Sequence, residues 1–271
     1  MWHSIADLVW LCLAAFAAGG INALAGGGTL LTFPTLSGVL AKSYDEAIAD
    51  VLANGTSTTA LVPASLGSAW GFRRETYELR HLLVWLAPPS FVGGALGAWL
   101  LVRFPKLFSG LVPWLILTAA VLFTLQPMVS SRLAALRKRR AAEHANTQVA
   151  PLALAGMVVL QLLISIYGGY FGAGIGILML SGLGMMGLND MHQMNGLKSV
   201  LGTIINGISV IVFVLHDNIV WPYALMMMAT SIAGGFLAAH YSRRVPSRYV
   251  RWIVVVIGFG LAAWYFAKMY R

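Results

Sequence analysis

Three consecutive glycines interrupt an apolar run in Ala25-Gly26-Gly27-Gly28-Thr29-Leu30-Leu31-Thr32-Phe33-Pro34. Each glycine in a helix interior costs about 1 kcal/mol relative to alanine, so a simple membrane anchor has no reason to contain three of them. Glycine allows a helix to break, and it lets backbone N–H groups come close to a ligand or a neighbouring helix. We therefore interpret this segment as a break between a first span, residues 5–24, and a short helix that ends near residue 40.

The pattern returns in the second half of the chain as Ala173-Gly174-Ile175-Gly176-Ile177-Leu178-Met179-Leu180. Two later pairs of segments share one constant offset: residues 53–57 with 194–199, and residues 93–98 with 234–239. The sequence thus predicts a first transmembrane repeat (1–128), a basic cytoplasmic linker (129–150) and a second repeat (151–271). Transporters built from repeats place the substrate site at the repeat interface, often where helices are interrupted.

The composition is that of a membrane protein. Hydrophobic residues make up 59% of the chain and charged residues only 10%, whereas soluble domains contain roughly 25% charged residues. Several continuous apolar runs reach the roughly 20 residues that cross a bilayer, and they do not alternate as the strands of a β-barrel do. We expect an all-α, polytopic membrane protein with four to five helical segments in each repeat.

Charge counting distinguishes two topologies. The net charge of +9 comes mostly from residues between the apolar runs, which is typical of cytoplasmic loops rather than of nucleic-acid binding. With five segments in each half, the basic stretches 73–80, 132–140 and 243–251 share one face, whereas with four segments the third stretch lies on the other face. Five segments satisfy the positive-inside rule better and make the repeats inverted, as in many carriers. If the short helix does not cross the membrane, each half has four crossing segments instead of five.

The second long helix of the first repeat is expected to be polar. Ser43 and Glu46 have the spacing of a capping box, with Ser43 as the N-cap of a helix that extends to about residue 69. Such a dense set of polar residues is found in a membrane only where a helix faces protein or a water-filled cavity. The charged residues that follow, 73–81, are expected to form a loop.

Among the Lys and Arg residues of the sequence, only Lys198 is predicted to lie well inside a span. Burying it at the bilayer midplane costs about 2.5–3.5 kcal/mol on insertion scales, so it needs a partner or a route to the headgroups. A bound anion is one partner, and Asp50 in the other repeat is another. Each glycine break also exposes the N–H groups of the helix that follows it, with about half a positive charge.

Two such helix starts and Lys198 would together form a site for a small oxyanion, although tight helix packing alone also explains glycines. The predicted substrate-binding residues are Asn22, Gly26, Gly27, Gly28, Thr29, Asn54, Thr56, Ser57, Tyr170, Gly174, Gly176, Asn195, Lys198 and Ser199. Asp50, Asp190 and His192 are candidates for coupling transport to protons or Na⁺.

The sequence contains no Walker A motif, no nucleophile–base pair and no cluster with metal-ligand spacing. We therefore expect no catalytic residues, no cofactor, no metal and no nucleic-acid partner. The expected partners are a small anionic substrate and the lipid bilayer. The sequence leaves open whether the chain forms a homo-oligomer. A membrane enzyme or a non-transporting scaffold protein is a competing interpretation.

The segments Gly-Gly-Gly-Thr-Leu-Leu-Thr-Phe-Pro-Thr-Leu (26–36), Ala-Asn-Gly-Thr-Ser (53–57) and Gly-Gly-Ala-Leu-Gly-Ala (93–98) resemble the TauE/SafE family of membrane permeases. The resemblance covers nearly the whole chain, but Gly174-Ile175-Gly176 departs from the triple glycine. It implies a carrier in the inner (plasma) membrane that exports sulfite or an organosulfonate such as sulfoacetate. The two repeats predict that this carrier works by alternating access. The alternative is an ion-coupled permease that imports a different small organic or inorganic solute.

Overall fold

The computed structural model describes residues 4–24, 27–142, 151–185, 188, 190–241 and 247–269. Within these ranges the chain is all-helical. The first half contains α1 (Ile5–Leu24), α2 (Thr29–Leu40), α3 (Glu46–Gly71), α4 (Arg73–Glu78), α5 (Arg80–Arg103) and α6 (Pro105–Ala142). The second half contains α7 (Pro151–Tyr170), α8 (Ile175–Met185), α9 (Met191–Leu215), α10 (Trp221–Tyr241) and α11 (Ser247–Met269).

The helices have the length and composition of a multi-pass membrane protein, as predicted. Among the described residues, 6 helices are long and apolar enough to cross a membrane, namely α1, α5, α6, α9, α10 and α11. Large apolar side chains such as Trp10, Trp85 and Phe236 are exposed on their outer faces, where lipid would cover them. At 1.5 Å per residue, α2 and α8 are about 18 and 16 Å long, short of the roughly 30 Å hydrocarbon core.

The two halves of the chain interlock, because α1 packs against α10 and α5 packs against α7. Glycines bring the backbones into contact at both places. A Cβ added at Gly19 would lie 1.9 Å from the Ser231 carbonyl oxygen, and one added at Gly97 would lie 2.1 Å from the Ile166 carbonyl oxygen. Small residues allow this close approach between membrane helices. The predicted repeat relationship and its inversion stay predictions.

We expect Gly97→Ala to lower the stability of the folded protein by about 1–3 kcal/mol, because the added methyl group pushes α5 away from α7. Gly260→Ala is the matched control, since nothing lies within 4 Å of a Cβ at that exposed position on α11. There the change should leave stability unchanged or raise it slightly. Thermal unfolding of both variants in detergent measures the difference, and equal unfolding temperatures would contradict backbone contact at Gly97.

Asp45, not Ser43, caps α3, so the predicted capping box is wrong. The Asp45 carboxylate accepts a hydrogen bond from the Ala47 N–H at 3.2 Å. A carboxylate at this position also complements the positive end of the helix better than a hydroxyl does.

The charged segment predicted as a loop is helical, and helix also extends into the predicted linker. The charged residues after α3 form the short helix α4 rather than a loop, and Thr76 Oγ1 donates to the carbonyl of Phe72, which is the N-cap residue of that helix. The helix α6 continues past residue 128 to Ala142, because residues 129–142 contain no Gly or Pro and are rich in Ala, Leu, Arg and Lys, all strong helix formers. Residues 143–150 of the predicted linker lie outside the described residues, and its boundaries otherwise stay a prediction.

Four aromatic side chains form a layer inside the bundle, here called the aromatic layer: Phe33, Phe108, Tyr170 and Phe171. Phe33 packs edge-to-face against Phe108 and Phe171, with ring centroids 5.9 and 5.4 Å apart. Tyr170 meets Phe108 edge-on at 5.2 Å. The three phenylalanines are fully buried. The aromatic layer therefore joins α2, α6 and the end of α7 by well-packed contacts.

Candidate functional site

The polar helices α3 and α9 lie side by side and run in opposite directions. The hydroxyls of Ser68 and Ser199 are 3.0 Å apart, and Asn206 Nδ2 donates to Ser65 Oγ at 3.5 Å. Polar side chains inside a membrane are tolerated where they face protein or a cavity, and here they face both.

A cavity of about 290 Å³, here called the central cavity, opens between α3, α9 and the two glycine breaks. This volume lies near the lower end of the range for small-molecule sites. The lining residues are Asn22 from α1, Gly27 and Thr29 from the first break, Thr58, Leu61, Ser65 and Ser68 from α3, Phe72 from the junction of α3 and α4, Gly172, Gly174, Ile175, Gly176 and Met179 from the second break and α8, and Asn195, Lys198, Ser199, Gly202 and Asn206 from α9.

Lys198 supplies the charge of the central cavity, since no other charged side chain is among its lining residues in the described part of the chain. Its Nζ donates to Asn195 Oδ1 at 3.1 Å, which uses one of the three N–H donors of the ammonium group. A Cβ at Gly176 would lie 3.3 Å from Lys198 Cδ. Glycine at that position therefore leaves room for the lysine side chain to extend along the cavity wall.

Both broken-helix starts lie at the central cavity. Within the described residues, α2 begins after Gly28 without a side-chain cap. In the second break, Gly172 and Gly174 adopt φ of 84° and 80°, a left-handed conformation that favours glycine. Gly27 and Thr29 from one start and Ile175 from the other line the same space. The cavity thus gathers two positive helix ends and one ammonium group.

Eight predicted binding residues line the central cavity: Asn22, Gly27, Thr29, Gly174, Gly176, Asn195, Lys198 and Ser199. The predicted residue Gly26 lies outside the described residues.

Five further candidates do not line the central cavity. A Cβ at Gly28 would lie 2.6 Å from the Ala18 carbonyl oxygen, so Gly28 is a packing position. The remaining four make contacts elsewhere. Thr56 Oγ1 accepts from the Val220 N–H at 3.0 Å, and Ser57 shares a hydrogen bond with the Thr32 hydroxyl. Asn54 Nδ2 donates to the Tyr170 carbonyl at 3.3 Å, and the Tyr170 ring lies in the aromatic layer. These contacts hold α3 against its neighbours.

The alternative pairing of Lys198 with Asp50 is wrong. Asp50 instead accepts hydrogen bonds from Ser37 Oγ at 2.6 Å and Ser109 Oγ at 2.7 Å. The two residues belong to different sites, because Asp50 is not among the residues that line the central cavity.

The other two coupling candidates lie at the start of α9. Asp190 is its N-cap and accepts from the backbone N–H groups of His192 and Gln193 at 2.6 and 3.4 Å. Asp190 and His192 are both exposed. Helix capping accounts for Asp190 without a role in transport.

Ten lining residues were missed from the sequence, and four of them are polar positions on α3 and α9: Thr58, Ser65, Ser68 and Asn206. A helical period supplies the signal that would have found them. Counting from Thr58, positions 61, 65 and 68 return to one side of α3, whereas Thr56 lies on the opposite side.

Comparison with known proteins also indicates a membrane transporter. The chain matches the family model described as "Sulfite exporter TauE/SafE" over residues 11–265. It is 28% identical over 262 residues to a "Probable membrane transporter protein" of Haemophilus influenzae, covering 94% of this chain and 93% of the relative. It is 24% identical over 266 residues to "Probable membrane transporter protein ORF9" of Sinorhizobium sp, covering 94% and 90%. No solved structure matches the chain significantly.

The family match extends over nearly the whole chain, and the names of both relatives indicate a membrane transporter rather than an enzyme. The predicted fold class and multi-pass membrane location agree with the helices that the structure describes. This chain therefore belongs to the TauE/SafE family of membrane transporters.

Proposed function

We propose that the chain carries a small oxyanion, sulfite or an organosulfonate such as sulfoacetate, out of the cell across the inner membrane. The observation that carries this proposal is the central cavity, where Lys198 and two helix starts supply positive charge and no described acidic side chain lines the wall. Helix starts bind oxyanions through their N–H groups, and an ammonium group adds charge-assisted hydrogen bonds.

The neutral polar groups of the central cavity support the same choice of cargo. Asn22 and Asn195 carry amides, and Thr29, Ser68 and Ser199 carry hydroxyls, all on its wall. A sulfite or sulfonate group has three oxygen atoms that accept hydrogen bonds from several directions at once. An organosulfonate adds a short carbon chain, for which Leu61 and Met179 offer apolar contact.

The contacts around the central cavity suggest where the carrier moves. The helices α3 and α9 meet there through hydroxyl and amide contacts of 3.0 and 3.5 Å, whereas the α1–α10 and α5–α7 pairs meet backbone to backbone. Polar contacts of this kind exchange partners more readily than interlocked backbones. In our proposal, alternating access opens the α3–α9 contact while the interlocked pairs move as rigid units.

The membrane potential can drive export. One elementary charge is worth about 2.3 kcal/mol per 100 mV. With a negative interior, this supports roughly a fifty-fold outward gradient of a monoanion, since each 1.36 kcal/mol is a factor of ten. Export then requires no ATP.

Flux measurements in reconstituted vesicles test the proposal. Purified protein in liposomes with an imposed potassium diffusion potential is expected to accumulate sulfite or sulfoacetate on the positive side, and to reverse when the potential is reversed. Protein-free liposomes are the control. Transport of a neutral solute but of neither anion would overturn the oxyanion assignment and favour the import permease.

A further inference from the structure

A second cavity of about 300 Å³ lies at the other end of α3. It is bounded by the starts of α3 and α6 and the end of α11, and its wall includes Glu46, Lys106, Ser109, Tyr265 and Lys268. The central cavity, by contrast, is lined by α3 from Thr58 onward. The same helix therefore reaches two cavities, one near each of its ends.

Asp50 lies between them, one turn after Glu46, and its side chain is almost completely buried, with 1% of the residue exposed. Ser37 Oγ donates to one carboxylate oxygen at 2.6 Å and Ser109 Oγ donates to the other at 2.7 Å. Tyr265 OH in turn donates to Ser37 Oγ at 3.3 Å. Because Ser109 and Tyr265 line the second cavity, hydroxyl groups connect the buried carboxyl to that cavity.

We propose that Asp50 is a proton-binding site, reached from the second cavity, that couples oxyanion export to the movement of a proton in the opposite direction. The Ser109 hydroxyl passes its proton to Asp50 Oδ2 while it receives another from a hydronium ion in the second cavity. The carboxylate becomes a neutral carboxylic acid, a water molecule is left behind, and Ser109 is unchanged. The cargo in this scheme rests on the proposed function, but the proton site itself does not.

Among the residues that the structure describes, no cationic side chain forms an ion pair with Asp50. Glu46 on α3 and Lys268 on α11 pair with each other at 2.7 Å, and Lys106 on α6 and Tyr265 on α11 line the second cavity. From α1 and the turn after α2, Asp7 and Lys42 also pair at 2.7 Å, and Lys198 on α9 lies at the central cavity. A buried, unpaired carboxylate is costly in a membrane, and a proton neutralises it.

A metal ion fits these groups less well. Both serine hydroxyls already direct their protons to Asp50, and the Ser37 oxygen also accepts from Tyr265. No group of three or more His, Cys, Asp or Glu side chains that would hold a metal occurs among the described residues.

The position of Asp50 links proton binding to the aromatic layer. Ser37 follows Phe33 by one turn of α2, and Ser109 follows Phe108 directly in α6. On α3, Asn54 is one turn beyond Asp50 and bonds to the Tyr170 carbonyl. Hydrogen bonds to an ionised carboxylate are roughly twice as strong as neutral ones, so protonation weakens the attachment of α2 and α6 to α3 beside that layer. Proton binding thus acts on the contacts that separate the two cavities.

Infrared difference spectroscopy of the purified protein, titrated with acid in the absence of any substrate, tests the site directly. Wild-type protein is expected to gain a carboxylic-acid C=O band that Asp50→Asn lacks and the matched control Asp190→Asn retains. Ser109→Ala keeps the carboxyl group and removes one donor, so its band should shift to higher frequency. An unchanged band in both Asp50→Asn and Ser109→Ala would overturn the proposal.

Proteoliposomes with an imposed pH gradient test the coupling. One pH unit is worth a factor of about ten for one coupled proton. Wild-type protein should respond to it with about that change in sulfoacetate accumulation, whereas Asp50→Asn should exchange sulfoacetate without responding. An equal response in Asp50→Asn would refute proton coupling. Loss of wild-type transport when choline replaces Na⁺ would refute it as well. If wild-type protein moves neither anion under any gradient, the proposed cargo is wrong, and the infrared titration still decides the proton site.

Discussion

Lys198→Met is expected to weaken the binding of sulfite or sulfoacetate to the purified protein by roughly thirty-fold or more. Methionine keeps much of the aliphatic stem that packs over Gly176 and removes the ammonium group from the central cavity. Removing one partner of a desolvated, charge-assisted contact costs about 2–5 kcal/mol. Equilibrium binding measured by calorimetry, with folding checked by thermal unfolding, gives the result.

Lys42→Met is the matched control for this variant. Lys42 is an exposed lysine that pairs with Asp7 at 2.7 Å and is absent from the wall of the central cavity. The control should bind both anions as wild-type protein does. Wild-type affinity in Lys198→Met would remove this residue from the site, and equal losses in both variants would indicate a general charge effect rather than a specific contact.

Gly202→Leu is expected to abolish transport while the fold is kept. Gly202 lines the central cavity, and nothing lies within 4 Å of a Cβ added there, so the leucine side chain fills open space. Replacing a helical glycine also removes a backbone cost of about 1 kcal/mol, which should maintain or raise the unfolding temperature. Flux and thermal unfolding measured on the same preparation separate a blocked cavity from a damaged fold.

Gly207→Leu provides the comparison for this blocked cavity. It changes another glycine of α9 that has nothing within 4 Å of its Cβ but does not line the central cavity. Its flux should equal that of wild-type protein. Full transport by Gly202→Leu would mean that the substrate does not pass Gly202. Gly27 is a poorer site for such a test, since its Cβ would meet Phe123 Cζ at 2.1 Å and its φ is 152°.

Much of the fold was predictable from the sequence, because apolar length and glycine are strong local signals. The predicted first span and the short helix after the triple glycine coincide with α1 and α2. The errors fall where weaker signals compete. Ser43 and Asp45 are both good capping residues two positions apart, and charged residues after a helix continue as helix when neither Gly nor Pro stops them.

The candidate site was only partly predictable. A lysine within a span and two glycine breaks are visible in the sequence, and they lie around one cavity. Which hydroxyls of α3 join them depends on how the helix is rotated, and that is set by contacts such as Ser68 with Ser199. Asn54 and Tyr170 lie in the bundle instead, where Asn54 Oδ1 and Tyr170 OH are buried without a hydrogen-bond partner among the described residues.

The interlocking of α1 with α10 and of α5 with α7 has a consequence for biosynthesis. Gly19 needs Ser231 as its neighbour, and Gly97 needs Ile166, so the first half leaves the ribosome with its tightest surfaces still facing lipid. Native assembly must wait until α10 has been inserted. Neither half is then a stable unit alone, but the two halves synthesised as separate polypeptides in one cell should find each other and restore the protein.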